Sequence, residues 1–274
     1  MNGETKLVGI LGWPVSHSKS PAMHNAAFRH HKLNWAYVPL PLHPNHAFEA
    51  AIKGLASMGF KGANVTVPYK ESAAVLADEV STQAQAIGAV NTLIVNEHGK
   101  VRGENTDASG FLAHLAQEGV EVRGAQVAVI GAGGAARAIV YALIEAHAKE
   151  VVVINRNEAR GASLSKRFNV SHLNWSKESF ERAMPCDLII NTTSLGLSSK
   201  DPLPWHEELH FRTGQVVYDV IYKQTPFLAR AKSDGARAID GGGMLLWQGA
   251  LGFKLWTGLD APIDVMKREL HNAG

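Results

Sequence analysis

Apolar residues run along this chain in two textures. Short unbroken stretches, such as Leu7-Val8-Gly9-Ile10-Leu11, Val127-Ala128-Val129-Ile130 and Val151-Val152-Val153-Ile154, read as strands buried on both faces. Longer stretches between them repeat apolar residues every three or four positions, as a helix that buries one face does. In the first part of the chain the pattern predicts a strand Leu7–Gly12, a polar loop Val15–Pro21, and a helix to about His31. Ser20 is its expected N-cap and Pro21 its first helical residue. A strand Trp35–Leu40 and a helix Phe48–Met58 follow, then a strand Gly62–Val65 broken by Pro68, and helices near Glu71–Leu76 and Ser81–Ile87. Val90–Val95 and Lys100–Glu104 form a hairpin-like pair around Glu97-His98-Gly99. Asn105-Thr106-Asp107 then caps a helix from about Ala108 to Glu118.

Gly119–Gly124 reads as a connector into a second domain. Beyond it, strands near Val127–Ile130, Val151–Ile154, Asp187–Asn191, Gln215–Ile221 and Ala236–Ile239 alternate with helical stretches, among them Glu158–Arg167 and Pro226–Ser233. That alternation predicts an α/β fold with a parallel, doubly wound sheet. Gly241-Gly242-Gly243 is a break, followed by a long helix Met244–Gly258 and a short one Ile263–Leu270.

The first strand of this second half ends in Gly131-Ala132-Gly133-Gly134-Ala135-Ala136, a glycine turn of the dinucleotide-binding type with a small last position. The first glycine permits the tight turn and the second lets backbone approach a pyrophosphate, which the free N–H groups of the next helix then hold. Strand and helix on either side make the hexapeptide far more specific than it is alone. The end of the next strand carries Asn155-Arg156-Asn157, with Arg160 three residues on, where a carboxylate would meet a free ribose 2′-hydroxyl. Two guanidinium groups in place of a carboxylate suit a 2′-phosphate, hence NADP. At about 1.5–3 kcal/mol per charge-assisted bond, the pair favours NADP by roughly 10²–10⁴-fold.

Composition narrows the partners. The 274 residues suffice for two domains, and 46% of them are hydrophobic against 19% charged. A net charge of +2, with no Lys/Arg-rich block, gives no case for nucleic acid. The single cysteine, Cys186, beside Leu188-Ile189-Ile190, is expected to be a small buried hydrophobe, and no internal disulfide can form. The polar N-terminus and the lack of a long apolar run predict neither secretion nor a membrane span, so a cytoplasmic protein is expected. The thirteen histidines show no zinc spacing, and no metal is expected.

Polar residues cluster at expected strand ends in the first half: Ser18 and Ser20, Thr66 to Lys70, and Asn105 to Asp107, with Asn91 inside another strand. Ligands of open α/β sheets bind outside the carboxyl ends of strands. Hydroxyls, amides, one ammonium and one carboxylate suit a small polyhydroxylated acid. A dehydrogenase also needs a group that exchanges a proton with the alcohol, and Lys70 or Asp107 could serve, either holding the other in place. Taken singly, each of these residues has a plainer role as a cap, a turn bond or a solvated side chain.

Together the motifs resemble the shikimate dehydrogenase family over nearly the whole chain. The resemblance rests on Gly12-x-Pro14-x-x-His17-Ser18-Lys19-Ser20-Pro21, Asn64-Val65-Thr66-Val67-Pro68-Tyr69-Lys70, Gly88-Ala89-Val90-Asn91-Thr92 and Asn105-Thr106-Asp107. The glycine turn, Asn155-Arg156, Asn191-Thr192-Thr193-Ser194, Asp219-Val220-Ile221-Tyr222 and Gly243-Met244-Leu245-Leu246-Trp247-Gln248 complete it. It implies NADP-dependent interconversion of 3-dehydroshikimate and shikimate in aromatic amino acid biosynthesis. It also implies a substrate-binding domain over residues 1–107, a Rossmann-like NADP domain over 108–243, and helices over 244–274 that return to the first domain. By the same resemblance Ser18, Ser20, Thr66, Asn91, Asp107, Tyr222 and Gln248 hold substrate, and Lys70 and Asp107 form the acid–base pair. Gly131, Ala132, Gly133, Gly134, Ala135, Asn155, Arg156, Asn157, Arg160, Val220 and Gly241 bind the cofactor. Such an enzyme acts on a small molecule as a monomer or homodimer. The chain departs from the family at Ala108, where glycine is usual, at Asn157, where threonine is common, and in a short Tyr222–Thr225 segment.

Three other readings compete. A quinate/shikimate dehydrogenase using NAD is disfavoured by Arg156 and Arg160. A methylenetetrahydrofolate-dehydrogenase-like enzyme is disfavoured by the serine pair and Asn105-Thr106-Asp107. A non-catalytic NADP sensor is disfavoured by the presence of both Lys70 and Asp107.

Overall fold

A computed structural model describes residues 1–198 and 200–272. The chain divides into two compact units: unit 1 is Met1–Gly110 with the segment from Leu245 onward, and unit 2 is Phe111–Met244.

Unit 1 begins β1 (Lys6–Gly12), α1 (Ser20–His30), β2 (Trp35–Pro41), α2 (Phe48–Ser57), β3 (Gly62–Val65) and α3 (Lys70–Leu76). It continues β4 (Glu79–Val80), α4 (Thr82–Ile87), β5 (Thr92–Val95), β6 (Val101–Glu104) and the start of α5 (Asp107–Gln117). The sheet order is β2-β1-β3-β5-β6-β4. β1 pairs in parallel with β2 and β3, while β5 runs antiparallel to β3 and β6. Alternation along β1 explains the two cores. Val8 and Ile10 face Phe28, Tyr37, Phe253 and Met266, whereas Leu7 and Leu11 face Ile52, Val65 and Leu93. Each such large side chain contributes about 1.5–3 kcal/mol on burial.

Unit 2 holds β7 (Gln126–Ile130), α6 (Gly134–Glu145), β8 (Glu150–Ile154), α7 (Glu158–Phe168), β9 (Ser171–Leu173) and α8 (Lys177–Ala183). β10 (Leu188–Asn191), β11 (Val216–Asp219), α9 (Pro226–Ser233) and β12 (Arg237–Ile239) complete it. All its strands are parallel, in the order β12-β11-β10-β7-β8-β9. The strand order reverses between β7 and β10, the topological switch point where open α/β sheets bind ligands. Ala128 and Ile130 join a core with Ile189, Phe180 and Phe227, while Val127 and Val129 on the opposite face are equally buried. That double burial is why these strands read as unbroken apolar runs. Cys186 lies in this core, and burial pushes its thiol up to about 11. α10 (Gly242–Thr257) and α11 (Ile263–Asn272) follow, and α11 packs on α1, where Lys19 Nζ donates to the Leu270 carbonyl at 3.2 Å.

Several expectations shift. β4, β9 and α8 are too short to stand out in the apolar pattern. Ser20 does not cap α1: it is the helix's first residue, Lys19 holds the cap position without a side-chain bond, and Ser18 Oγ accepts the Ser20 N–H at 3.3 Å. Gly242 and Gly243 do not break the chain but open α10. Asn91 stands just ahead of β5 rather than inside a strand, though its N–H still bonds the Glu104 carbonyl and its carbonyl accepts from Val65.

Candidate active site

In unit 1 the polar clusters converge through buried hydrogen bonds. Lys70 opens α3 and Asp107 opens α5, and Lys70 Nζ lies 2.6 Å from Asp107 Oδ2. Asp107 has no capping duty, because Asn105 Oδ1 accepts the N–H groups of Asp107 and Ala108 at 3.0 and 3.3 Å. Its other oxygen, Oδ1, accepts from Asn91 Nδ2 at 2.9 Å, so the carboxylate is held at both ends. Lys70 spends one of its three donors on this pair, leaving two for a ligand.

Asn91 is the hub. Its Oδ1 accepts the Thr106 N–H at 2.8 Å and the Thr92 hydroxyl at 3.1 Å. Its Nδ2 faces Thr106 Oγ1 at 2.9 Å, Asp107 Oδ1 at 2.9 Å and Gln248 Oε1 at 3.3 Å. An amide nitrogen has two protons for these three acceptors. Gln248, the most distant, is the one left available to something else. Its own Nε2 donates to the Leu245 carbonyl at 2.9 Å, which orients the side chain from α10.

Behind the hub, Asn64 Nδ2 donates to the Asn91 carbonyl and to Thr92 Oγ1 at 3.2 and 3.1 Å, and Asn64 Oδ1 accepts the Tyr37 hydroxyl at 2.8 Å. The Ser20 side chain lies within hydrogen-bonding reach of that hydroxyl, and burial pushes the Tyr37 phenol well up. Ser18, Ser20, Asn91, Asp107, Lys70 and Gln248 are thereby tied to one continuous group. Thr66 lies just past the end of β3, where a Cβ on Gly12 would meet its Cγ2 at 2.3 Å. Tyr37, Asn64 and Thr92 join the group without being among the candidate site residues of the sequence pattern, whereas Thr106 falls within the Asn105 to Asp107 cluster. For Asn64 a signal existed in its two-residue spacing from Thr66; Tyr37 gives none, since aromatic residues are ordinary in strands. An ammonium fixed by a carboxylate, beside hydroxyl and amide groups, can exchange a proton with an alcohol and stabilise charge growing on its oxygen.

Unit 2 carries the second group. Gly131 has φ +115°, and a Cβ there would lie 2.4 Å from Thr192 Oγ1, so only glycine fits this turn. Thr192 in turn donates to the Ile130 carbonyl at 2.7 Å. Ala132 is buried, Gly133 is the extended N-cap of α6, and Gly134 and Ala135 open the helix, whose free N–H groups are left for an anion. At the end of β8, Asn155 Nδ2 donates to the Asn157 carbonyl at 2.6 Å, and Asn157 Oδ1 caps α7 by accepting the Arg160 N–H at 3.0 Å. The cap commits the Asn157 oxygen and leaves its NH₂ as donor. Arg156 and Arg160 are exposed. The donor set fits a dinucleotide with a 2′-phosphate: a glycine turn into a helix N-terminus, then amide and guanidinium donors without a carboxylate. Val220 and Gly241 adjoin one another, since a Cβ on Gly241 would meet the Val220 carbonyl oxygen at 2.1 Å. Tyr222 belongs to this unit, on the loop between β11 and α9. Among the described residues no cluster of three or more His, Cys, Asp or Glu could hold a metal, and no helix is long and apolar enough to cross a membrane.

Comparison with known proteins covers the chain from end to end. The family model described as the shikimate dehydrogenase substrate binding domain matches residues 10–93, that of shikimate / quinate 5-dehydrogenase matches 114–201, and that of the shikimate 5′-dehydrogenase C-terminal domain matches 241–271. The NADP(+) shikimate dehydrogenase of Carboxydothermus hydrogenoformans is 43% identical over 98% of both chains. The crystal structure of shikimate dehydrogenase from Aquifex aeolicus is 40% identical and superposes with a TM-score of 0.91, covering 98% of each chain. That of the Thermus thermophilus enzyme in complex with NADP(H) and shikimate is 37% identical with a TM-score of 0.88, covering 98% of this chain and 100% of that one.

Proposed function

The chain belongs to the shikimate dehydrogenase family, and from that premise we propose that it interconverts 3-dehydroshikimate and shikimate with NADP, using Lys70 and Asp107 as its acid–base pair. The observation that carries this reading is the 2.6 Å contact of Lys70 with Asp107 inside the Asn91-centred group. NADPH, when bound, supplies the hydride. As the carbonyl carbon is reduced, the Lys70 ammonium stabilises the charge growing on oxygen and gives up its proton at Nζ. In the reverse direction neutral Lys70 takes that proton back. Asp107 keeps Nζ in place and, held through Oδ1 by Asn91, does not swing away. Ser18 and Ser20 take the substrate carboxylate, and Thr66, Asn91, Asp107, Gln248 and Tyr222 its hydroxyls. Gly131, Ala132, Gly133, Gly134 and Ala135 receive the pyrophosphate, Asn155, Arg156, Asn157 and Arg160 the 2′-phosphate end, and Val220 and Gly241 the remainder of the cofactor. The reading includes a cytoplasmic enzyme acting as a monomer or homodimer, which cell fractionation and sedimentation of the purified protein test.

The direct experiment follows reduced-nicotinamide absorbance with purified protein, shikimate and NADP, with quinate and NAD as comparators. Shikimate with NADP is expected to give the highest kcat/KM. A preference for quinate or for NAD would overturn the assignment in favour of a quinate/shikimate dehydrogenase, and no turnover with any pair would refute dehydrogenase activity.

A further inference from the structure

Asp219, the last residue of β11, is completely buried, and among the described residues no cation pairs with it. Its Oδ1 accepts from Asn191 Nδ2 at 3.0 Å and from the Ile221 N–H at 3.1 Å, and its Oδ2 accepts the Thr225 hydroxyl at 2.7 Å. Each donor anchors a different segment. Asn191 ends β10 and binds the following turn, accepting the Thr193 hydroxyl at 2.7 Å. Ile221 lies between Val220 and Tyr222, and its carbonyl accepts from Gly241 at 3.1 Å. Thr225 caps α9 by accepting the Leu228 N–H at 3.3 Å. One carboxylate therefore joins β10, the Val220–Tyr222 segment and α9 at the carboxyl edge of the sheet.

We propose that Asp219 is a positioning residue for the cofactor, clamping the Val220–Tyr222 segment and, through Ile221, Gly241. The proposal rests on the reading that Val220 and Gly241 belong to the NADP site. The geometry supports this: the Ile221 N–H that Asp219 holds lies next to Val220, and the Ile221 carbonyl accepts from Gly241. Burial pushes the carboxyl up to about 6, with Asp240 adding to the rise and the three donors opposing it. An acid whose folded pKa is raised adds stability below its unfolded value and loses that contribution as pH rises through the folded one. Ionised at neutral pH, the group is disfavoured by burial, and its three bonds need an acceptor at both oxygens.

The test is Asp219→Asn, close to isosteric and uncharged, in the full chain. Three quantities are read: NADP affinity by quenching of protein fluorescence, the thermal midpoint at pH 8, and amide hydrogen exchange over residues 220–225. The expected result is an NADP Kd raised about tenfold, faster exchange in that segment, and a midpoint at or above wild type. A structural role would instead lower the midpoint and leave Kd of the folded protein alone, which overturns the proposal, as does a Kd within about twofold of wild type. Wild-type protein that fails to bind NADP refutes the functional reading and takes the positioning role with it. Wild-type binding beside an unaffected variant refutes the Asp219 role only. If Asp219→Asn does not fold, Thr225→Val removes the donor to Oδ2, with the same three readings and the same deciding outcomes.

Discussion

Replacing Lys70 by alanine separates the acid–base pair into its energetic parts. In the wild type Nζ and Oδ2 of Asp107 are 2.6 Å apart, and only 14% and 6% of the two side chains are exposed. Without the ammonium, the nearly buried carboxylate keeps Asn91 Nδ2 as its side-chain donor. Breaking a buried ion pair from one side costs about 3–5 kcal/mol, and the partial exposure of Lys70 places this case at the lower end, about 3. That loss falls on stability. Turnover loses a proton donor that also stabilises charge on the reacting oxygen, so kcat falls by about 10²–10⁴, equivalent to roughly 3–5 kcal/mol of barrier. The KM for shikimate changes by less than about tenfold, because the hydroxyl and amide groups that grip substrate are untouched. Reduced-nicotinamide absorbance measures turnover and thermal unfolding measures stability. Adding Asp107→Asn to Lys70→Ala removes the orphaned charge, and is expected to restore most of the stability and none of the turnover. A single variant with kcat within tenfold of wild type refutes the assigned chemistry. A double variant that regained turnover would show that the stranded carboxylate, not the missing proton donor, had caused the loss.

Three other outcomes follow from the same geometry. Arg156→Ala and Arg160→Ala should each raise KM for NADP about 10- to 100-fold while moving KM for NAD less than about threefold, and equal effects on both cofactors would remove the 2′-phosphate from the argument. Gly131→Ala forces a side chain into φ +115° against Thr192. It should cost about 1–3 kcal/mol and weaken NADP binding, and a variant with unchanged midpoint and Kd would contradict the cradle. His24 is fully buried, stacked on Tyr37 at 4.5 Å, and neither ring nitrogen has a hydrogen-bond partner. Burial lowers its pKa from 6.5 to about 3. The neutral ring therefore adds stability above pH 6.5 that is lost as pH falls toward 3, about 5 kcal/mol in all. His24→Phe should flatten the unfolding free energy across that window, and equal slopes for wild type and variant would show that another group drives acid unfolding.

What could be read from the chain was whatever physical chemistry writes into neighbouring residues. The parallel strands announce themselves as unbroken apolar runs because helices cover both faces of their sheet. The glycine turn is legible because its backbone demand falls on one residue, Gly131, between a strand and a helix that adjoin it in sequence. The absence of a carboxylate beside Arg156 is equally local. The motifs around Lys70 and Asp107 marked both residues as chemical, yet nothing in their neighbourhoods says that they touch across 37 residues. The short elements β4, β9 and α8 escaped because a few residues carry no period.

Folding alone decided how the polar residues share their bonds. Asn91 reaches Asp107 across 16 residues and Gln248 across 157, and Tyr37 meets Asn64 across 27. Each is an unremarkable polar side chain until burial forces it to find a partner. Ser20 shows the same limit from the other side: its sequence setting is that of a helix cap, but Ser18 accepts its N–H and leaves its hydroxyl near Tyr37. Asp219 is the extreme case, a carboxylate with no cation paired to it among the described residues, whose bonds to Asn191, Ile221 and Thr225 exist only because the strand edge brings three segments to one buried point. Local pattern specifies the elements and the residue types; desolvation, which acts only on the folded chain, selects which polar groups must pair.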